Sequence, residues 1–162
     1  MDNLLAHWKY TPSQWDEFVT IEKGNKKEDN IYFGIGIVIL GTLGLMTFRN
    51  TSFWMGLAFV LPFAFLIPFL RMKISYRHLK KGVQHPEVKI YFDKLIVNNH
   101  IIELQGKRKR VKSLKIIDAH NNIKLLEFDV QWITGKGPTN DEYRILIPED
   151  KMEEAKHLVS LL

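Results

Sequence analysis

The sequence predicts an α+β membrane protein, in which a two-helix transmembrane hairpin is followed by an antiparallel curled sheet or small barrel closed by a C-terminal helix. Three observations predict this fold: two uncharged apolar runs, a later stretch of alternating apolar residues, and an amphipathic end. The 162 residues carry a formal net charge of +5 and no cysteine. The lack of cysteine excludes disulfides and thiolate chemistry.

The two apolar runs, residues 31–48 and 53–70, are predicted to cross a bilayer as helices. Neither contains a charged residue. At a rise of about 1.5 Å per residue each would span about 27 Å, close to the hydrocarbon core of roughly 30 Å. A helix of a soluble core normally keeps a polar stripe, which both runs lack. The alternative, a hairpin buried in a soluble helical domain, would need further long helices that the sequence does not offer.

The stretch from Arg49 to Ser52 separates the two runs and is predicted to be the tight turn of the hairpin. Asn50 can adopt the left-handed conformation that often follows a helix, and Ser52 can cap the second helix.

Residues 71–86 are predicted to be a basic helix end, running to about Gly82, and then a linker. The charge of this segment predicts the orientation of the hairpin in the membrane. The loop between the runs offers only Arg49, so the positive-inside rule predicts that both termini are cytoplasmic. The cations of this segment are also predicted to contact lipid headgroups: Arg71, Lys73, Arg77, Lys80 and Lys81.

Residues 1–30 are predicted to form a cytoplasmic arm with a short amphipathic helix. Thr11 and Gln14 have capping-box spacing, and Gly24 can end the helix. This helix could lie in the membrane interface, clasp the cytoplasmic domain or complete ordinary packing. Its apolar face would consist of Trp15, Phe18 and Val19.

Residues 87–162 are predicted to form five or six antiparallel strands in a meander, because apolar residues recur there with a period of two. Turns are expected at Asn98–His100, Ala119–Asn122 and Thr134–Asp141. The chain then closes with a helix that would plug the open side of the sheet. Its apolar stripe would be Met152, Ala155, Val159 and Leu162.

The segments "VKIYFDKLIVNNHIIEL", "KRVKSLKIID" and "EYRILIPEDKMEEAKHLVSLL", following a two-helix hairpin, resemble the bacterial pleckstrin-homology-like proteins of the YcxB-like type. This resemblance implies a membrane hairpin joined to a curled-sheet domain, in the bacterial cytoplasmic (inner) membrane. In architecture alone, the chain is also similar to the small two-helix effectors of bacterial antiphage systems. Those effectors join a hairpin to a β-rich domain that senses a cyclic nucleotide.

The most unusual polar stretch is "GKRKRVKSLK", Gly106 to Lys115. On a strand, Arg108, Arg110 and Lys112 would share one face. They could contact anionic lipid at about 1 kcal/mol per basic residue, or hold the phosphates of a nucleotide. Alternatively, the stretch is a solvated edge strand whose charges oppose aggregation. The predicted ligand- or lipid-binding residues are Lys107, Arg108, Lys109, Arg110, Lys112 and Lys115.

Small residues within the apolar runs allow close helix contact. They could serve packing within the hairpin or self-association between chains. Pro62 and Pro68 should kink or loosen the second helix. The glycines predicted for helix packing are Gly34, Gly36, Gly41, Gly44 and Gly56.

No catalytic residue, metal site or cofactor is predicted. The histidines are scattered without an HExxH pattern, and "GKGP" lacks the spacing of a nucleotide-binding P-loop. We therefore predict a non-enzymatic scaffold or accessory subunit that contacts the bilayer and binds a protein partner, its own copies or the inner leaflet, with no nucleic-acid partner. The alternative is an antiphage or CRISPR-associated effector that senses a nucleotide and oligomerises to disrupt the membrane.

Overall fold

The computed structural model describes residues 4–119, 123–135 and 137–161. It has the predicted α+β composition, with two long apolar helices and two antiparallel sheets. The elements, in chain order, are β1 (Leu4–Lys9), α1 (Pro12–Arg49), α2 (Phe53–Ser75), β2 (Glu87–Tyr91), β3 (Lys94–Val97), β4 (His100–Glu103), β5 (Lys109–Asp118), β6 (Lys124–Thr134), β7 (Gly137–Leu146), a 3-10 turn (Glu149–Lys151) and α3 (Met152–Ser160).

The chain divides into two compact units. The helical unit is Thr20–Leu79, and the β unit comprises the described residues up to Val19 and from Lys80 onward. The β unit is therefore built from both flanks of the helical unit.

The two predicted apolar helices and the turn between them are confirmed. Asn50 has a φ of 49°, in the left-handed region. The Ser52 hydroxyl accepts a hydrogen bond from the Met55 N–H at 3.4 Å and caps α2. Both helices are long and apolar enough to cross a membrane, judged by length and composition.

The prediction that Gly24 ends a separate N-terminal helix is wrong, because α1 runs without a break from Pro12 to Arg49. A glycine inside a helix costs only about 1 kcal/mol relative to alanine, which does not stop a long helix. An ion pair between Glu22 and Lys26, at 3.8 Å, spans this position. The predicted capping box is present: the Thr11 hydroxyl accepts from the Gln14 N–H, and the Gln14 side chain accepts from the Thr11 N–H.

The second apolar helix ends at Ser75, earlier than the predicted end near Gly82. A turn follows directly, in which the Leu79 N–H donates to the Tyr76 carbonyl. Gly82 lies beyond this turn in the left-handed region, at a φ of 75°.

The predicted meander is present, but the described residues form two sheets and no closed barrel. Their strand orders are β1-β2-β3-β4 and β5-β6-β7, with every neighbouring pair antiparallel. The N–H groups of Leu104 and Gln105 both donate to the Asp93 carbonyl, at 2.7 and 3.0 Å. The contact between β3 and β4 therefore extends one position beyond the Lys94–Glu103 pair. Strand β1 was not predicted.

Of the predicted turns, the one at Asn98–His100 is confirmed. Asn98 and Asn99 both have positive φ, 47° and 66°, as a two-residue hairpin turn requires. The predicted loop at Thr134–Asp141 is wrong, because β6 and β7 stay paired as far as Thr134 and Gly137. Since β7 is an edge strand, it tolerates Pro138, which has no N–H to donate. Of the turn predicted at Ala119–Asn122, residues 120–122 lie outside the described ones.

The core of the β unit includes the N-terminal segment and α3, which packs against β5. Trp8 is fully buried, and its indole N–H donates to Glu154 of α3 at 3.3 Å. The buried residues of α3 are Ala155 and Leu158. Of the predicted stripe on this helix, Ala155 is buried, Met152 and Val159 are half-buried, and Leu162 lies outside the described residues.

Candidate membrane and ligand surfaces

The helical unit exposes most of its apolar side chains. Only 6% of the most apolar stretch of α1 and 17% of that of α2 are buried. A core helix of a soluble protein would be mostly buried, so these two helices need another apolar environment to cover them. The most exposed aromatic and aliphatic side chains of the two helices are Phe48, Trp54, Phe65, Leu40 and Met55.

Three of the five predicted packing glycines lie where α1 and α2 touch. A Cβ on Gly34 would be 3.0 Å from the Ala64 carbonyl oxygen, and one on Gly41 would be 3.0 Å from the Val60 methyl groups. Gly56 lies against Thr42, where a Cβ would be 3.5 Å from the methyl group.

The remaining two, Gly36 and Gly44, have open space around them: a Cβ there would meet nothing within 4 Å. The five glycines therefore divide into a packed group inside the hairpin and an open group.

Pro68 explains why Gly34 must be small. The Ala64 carbonyl would normally accept from the N–H of residue 68, but proline has none. The oxygen of this carbonyl lies beside Gly34 of α1. A close backbone approach of this kind, with a Cα–H beside a carbonyl oxygen, is common at helix contacts in membranes.

The predicted lipid-contacting cations after the hairpin are mostly exposed. In the helical unit, Arg71 stacks over the Phe33 ring at 5.5 Å, while Lys73 and Arg77 are exposed. In the β unit, Lys80 and Lys81 are exposed. Among the described residues, none of these lysines, nor Arg77, has an ion-pair partner for its side chain.

The N-terminal part of α1 does not offer an apolar face to a membrane interface. Trp15, Phe18 and Val19 are at most 1% exposed and belong to the β unit. The interfacial alternative for this helix is therefore wrong. These residues pack inside the β unit: the Tyr10 and Trp15 rings are 5.5 Å apart, and the Trp15 and Phe18 rings are 5.2 Å apart.

Two hydrogen bonds join the points at which the chain leaves and re-enters the β unit. The Trp15 indole N–H donates to the Lys80 carbonyl at 2.9 Å. The Gly82 N–H donates to the Asp16 carboxylate, also at 2.9 Å. We call these four residues the root of the hairpin.

The basic run on β5 is engaged in contacts within the β unit. Lys109 lies 3.3 Å from the Glu103 carboxylate and 3.9 Å above the Trp132 ring. Arg110 donates twice to the Gln131 side-chain oxygen, at 3.1 and 2.7 Å. Both cations are thus already directed toward neighbouring residues.

Further along β5, lysine side chains form ion pairs with acidic side chains of β6. Lys112 lies 3.7 Å from Asp129, and a bulge between Val111 and Ser113 sets its position. Lys115 lies 2.9 Å from Glu127. These cross-strand pairs neutralise the C-terminal half of the basic run.

Glu127 is the central anion of this face, being 3% exposed and paired with both Lys115 and Arg144 at 2.9 and 2.7 Å. Burial by itself would raise the pKa of the Glu127 carboxyl. The hydrogen bonds from the two cations outweigh that effect and hold the pKa below its ordinary value of 4.5. Hydrogen bonding to Glu127 likewise raises the pKa of the Lys115 ammonium.

Lys107 and Arg108 differ from the other four cations of the run. They precede β5, both are exposed, and neither side chain has an ion-pair partner in the part of the chain that the structure describes. Gln131, the partner of Arg110, is neutral, but it does hold the guanidinium by hydrogen bonds. Lys107 and Arg108 are the two residues of the predicted ligand site for which the described residues provide no side-chain partner.

The histidines do not form a metal site within the described ranges, where no group of three or more His, Asp or Glu side chains could hold an ion. His7 lies 2.8 Å from Glu87, which also binds Lys89. Hydrogen bonds from Lys89 and then His7 lower the pKa of the Glu87 carboxyl. His120 lies outside the described residues.

Comparison with protein-family models, with curated proteins and with solved structures gives no match for this chain. The fold and its surfaces define the class: an α+β chain with two long apolar helices and two antiparallel sheets. The resemblance to YcxB-like pleckstrin-homology-like proteins, and the fainter one to antiphage effectors, stay predictions.

Proposed function

We propose that this chain is a non-enzymatic integral membrane protein of the bacterial inner membrane, anchored by the α1–α2 hairpin. The β unit would serve on the cytoplasmic side as a scaffold or accessory subunit, binding a protein partner or the leaflet surface. The observation that carries the proposal is the exposure of two membrane-length apolar helices.

The strand pairing of the β unit supports a hairpin whose two helices each cross the membrane once. Its strand β1 precedes the hairpin and pairs with β2, which follows it. The two flanks of the hairpin must therefore lie on the same side of any membrane that the helices cross. The cations after α2, set against a single arginine in the loop, favour the cytoplasm as that side.

Cysteine labelling of the full chain tests the insertion and its direction. The native sequence has no cysteine, so Arg49→Cys at the loop and Ser160→Cys on α3 each provide one thiol. In intact spheroplasts a membrane-impermeant maleimide should label Arg49→Cys only, and Ser160→Cys should react after lysis. Labelling of both before lysis, or extraction of the chain by alkaline carbonate, would contradict the proposal.

Contact of the β unit with anionic lipid is expected to depend on Lys107 and Arg108, since the other cations of the run have partners. Hydrogen exchange of the full chain in nanodiscs would measure it. Residues 106–110 should exchange more slowly in a phosphatidylglycerol-containing bilayer than in pure phosphatidylcholine, and the double variant Lys107→Glu/Arg108→Glu should abolish the difference.

The matched control for this experiment is Lys151→Glu/Lys156→Glu, which reverses two cations that are paired with acids near α3. It should leave the difference intact. If neither double variant changes the exchange, the run is a solvated edge. If instead a cyclic nucleotide slows exchange at residues 106–110 and raises the oligomeric state, the function is that of an antiphage effector and not of a scaffold.

A further inference from the structure

The helical unit contains a groove between α1 and α2 with a volume of about 360 Å³. Its walls are apolar, and at one end it is bordered by the polar side chains of Lys27 and Asn30. The central wall residues are Gly34, Ile35, Val38, Ala64, Phe65 and Pro68.

The groove covers about half of the hairpin. On α1 its lining extends from Lys27 to Val38, which at about 1.5 Å per residue is about 16 Å. On α2 it extends from Leu61 to Met72. A bilayer core is about 30 Å thick, so the groove matches the depth of one leaflet. A helix of a second copy would contact the hairpin over the whole thickness, whereas an acyl chain fills one leaflet.

Asn30 supplies an independent indication of a ligand. It is 3% exposed, and its side-chain N–H donates to the Lys26 carbonyl at 2.7 Å, which fixes the orientation of the amide. The Asn30 side-chain oxygen is buried and has no hydrogen-bond partner among the described residues. A buried acceptor without a donor is unfavourable by about 1–3 kcal/mol, so a donor from a bound molecule would stabilise this site.

Lys27 gives the same end of the groove a positive charge. Its side chain is exposed and has no ion-pair partner within the described parts of the chain. A phosphate would complement the ammonium group, and a headgroup hydroxyl would donate to Asn30.

We propose that this groove is a specific site for an anionic phospholipid with a hydroxyl-bearing headgroup, such as phosphatidylglycerol. One acyl chain would lie between α1 and α2, and the headgroup would lie against Lys27 and Asn30. This inference rests on the proposed membrane function of the hairpin.

Native mass spectrometry of the full chain tests it, after reconstitution in vesicles of equal parts phosphatidylcholine and phosphatidylglycerol and release in mild detergent. The wild-type chain should retain one phosphatidylglycerol. Ile35→Trp fills the groove and should lose it. The control is Ile39→Trp, on the same helix with nearly the same exposure, 53% against 50%, and outside the lining; it should retain the lipid.

Lys27→Gln provides a second test that does not alter the apolar helices. It should reduce the preference for phosphatidylglycerol over phosphatidylcholine about fivefold, as expected for one basic residue near anionic lipid. The control Lys156→Gln removes an exposed cation of α3 that lies outside the lining, and it should leave the preference unchanged.

The outcomes separate this proposal from the one on which it rests. If carbonate extracts the chain, the membrane function fails. If the chain stays inserted but both tryptophan variants retain lipid equally, the groove is not the site. If Ile35→Trp converts a dimer to a monomer, a second copy occupies the groove and the lipid proposal is overturned. An unchanged preference in Lys27→Gln would overturn the headgroup assignment.

Discussion

Gly34 is the residue at which the hairpin depends most directly on the absence of a side chain. A Cβ there would meet the Ala64 carbonyl oxygen at 3.0 Å, and that oxygen belongs to backbone that cannot rotate away. Gly34→Ala should therefore push the helices apart and destabilise the hairpin by about 1–3 kcal/mol. Thermal unfolding in detergent micelles, followed by circular dichroism, would measure the loss.

Gly36 provides the matched control for this substitution, because it lies on the same helix with open space around it. Gly36→Ala should leave the unfolding temperature unchanged or raise it slightly, since alanine favours a helix. Equal effects at the two positions would show that helix propensity, and not contact with α2, determines the response.

The lowered pKa of Glu127 lets us predict how the free energy of unfolding depends on pH. Its folded-state pKa lies below the ordinary 4.5, so its ion pairs stabilise the fold fully above about pH 4.5 and are lost as the pH falls through the lower folded value. Glu127→Gln should lower the free energy of unfolding at pH 7 by about 1–3 kcal/mol and flatten its fall below pH 5.

Urea unfolding of the full chain, followed by tryptophan fluorescence from pH 7 to pH 3, would check this prediction. Glu153→Gln is the control, because this glutamate also pairs with a lysine but its side chain is 85% exposed. It should have no measurable effect, as is usual for surface ion pairs. An unchanged pH profile in Glu127→Gln would mean that other carboxylates, such as Glu87, account for the acid sensitivity.

At the scale of elements, the root of the hairpin connects the start of α1 to the segment that follows α2. Trp15→Phe removes the donor to the Lys80 carbonyl while keeping an aromatic ring in a fully buried position. It should destabilise the β unit by about 1–3 kcal/mol and speed hydrogen exchange at residues 80–82. Trp54→Phe, at a position 75% exposed, should change neither.

The sequence predicted those elements whose signal is local. The apolar runs, the Thr11 capping box and the Asn98–Asn99 turn each depend on residues a few positions apart, and all three are present. Strand β1 was missed because its partner, β2, lies about 80 residues away and the segment "LLAHWK" carries no turn signal of its own.

The predicted loop at Thr134–Asp141 and the predicted stop at Gly24 were wrong for the opposite reason. Both predictions relied on turn-forming residues. Pairing between β6 and β7 overrides the turn signals after Thr134, and continuation of a long helix overrides Gly24.

Much less of the candidate sites could be predicted from sequence. The partners of Arg110 and Lys112 depend on strand register and on the bulge in β5, which the spacing of residues alone does not reveal. The groove residue Asn30 did carry a signal, as a polar residue immediately before an uncharged run. Its burial and its position at the groove between α1 and α2 are visible only in the structure.

For the whole molecule, the pairing of β1 with β2 across the hairpin determines the order in which the protein can be completed. At synthesis rates of about 5–20 residues per second, Glu87 follows Lys9 from the ribosome by about 4–16 s. During that interval Trp8 has no Val88 to pair with, while both helices of the hairpin have already been made. Strand β1 must therefore remain without its partner strand until the helical unit has been synthesised.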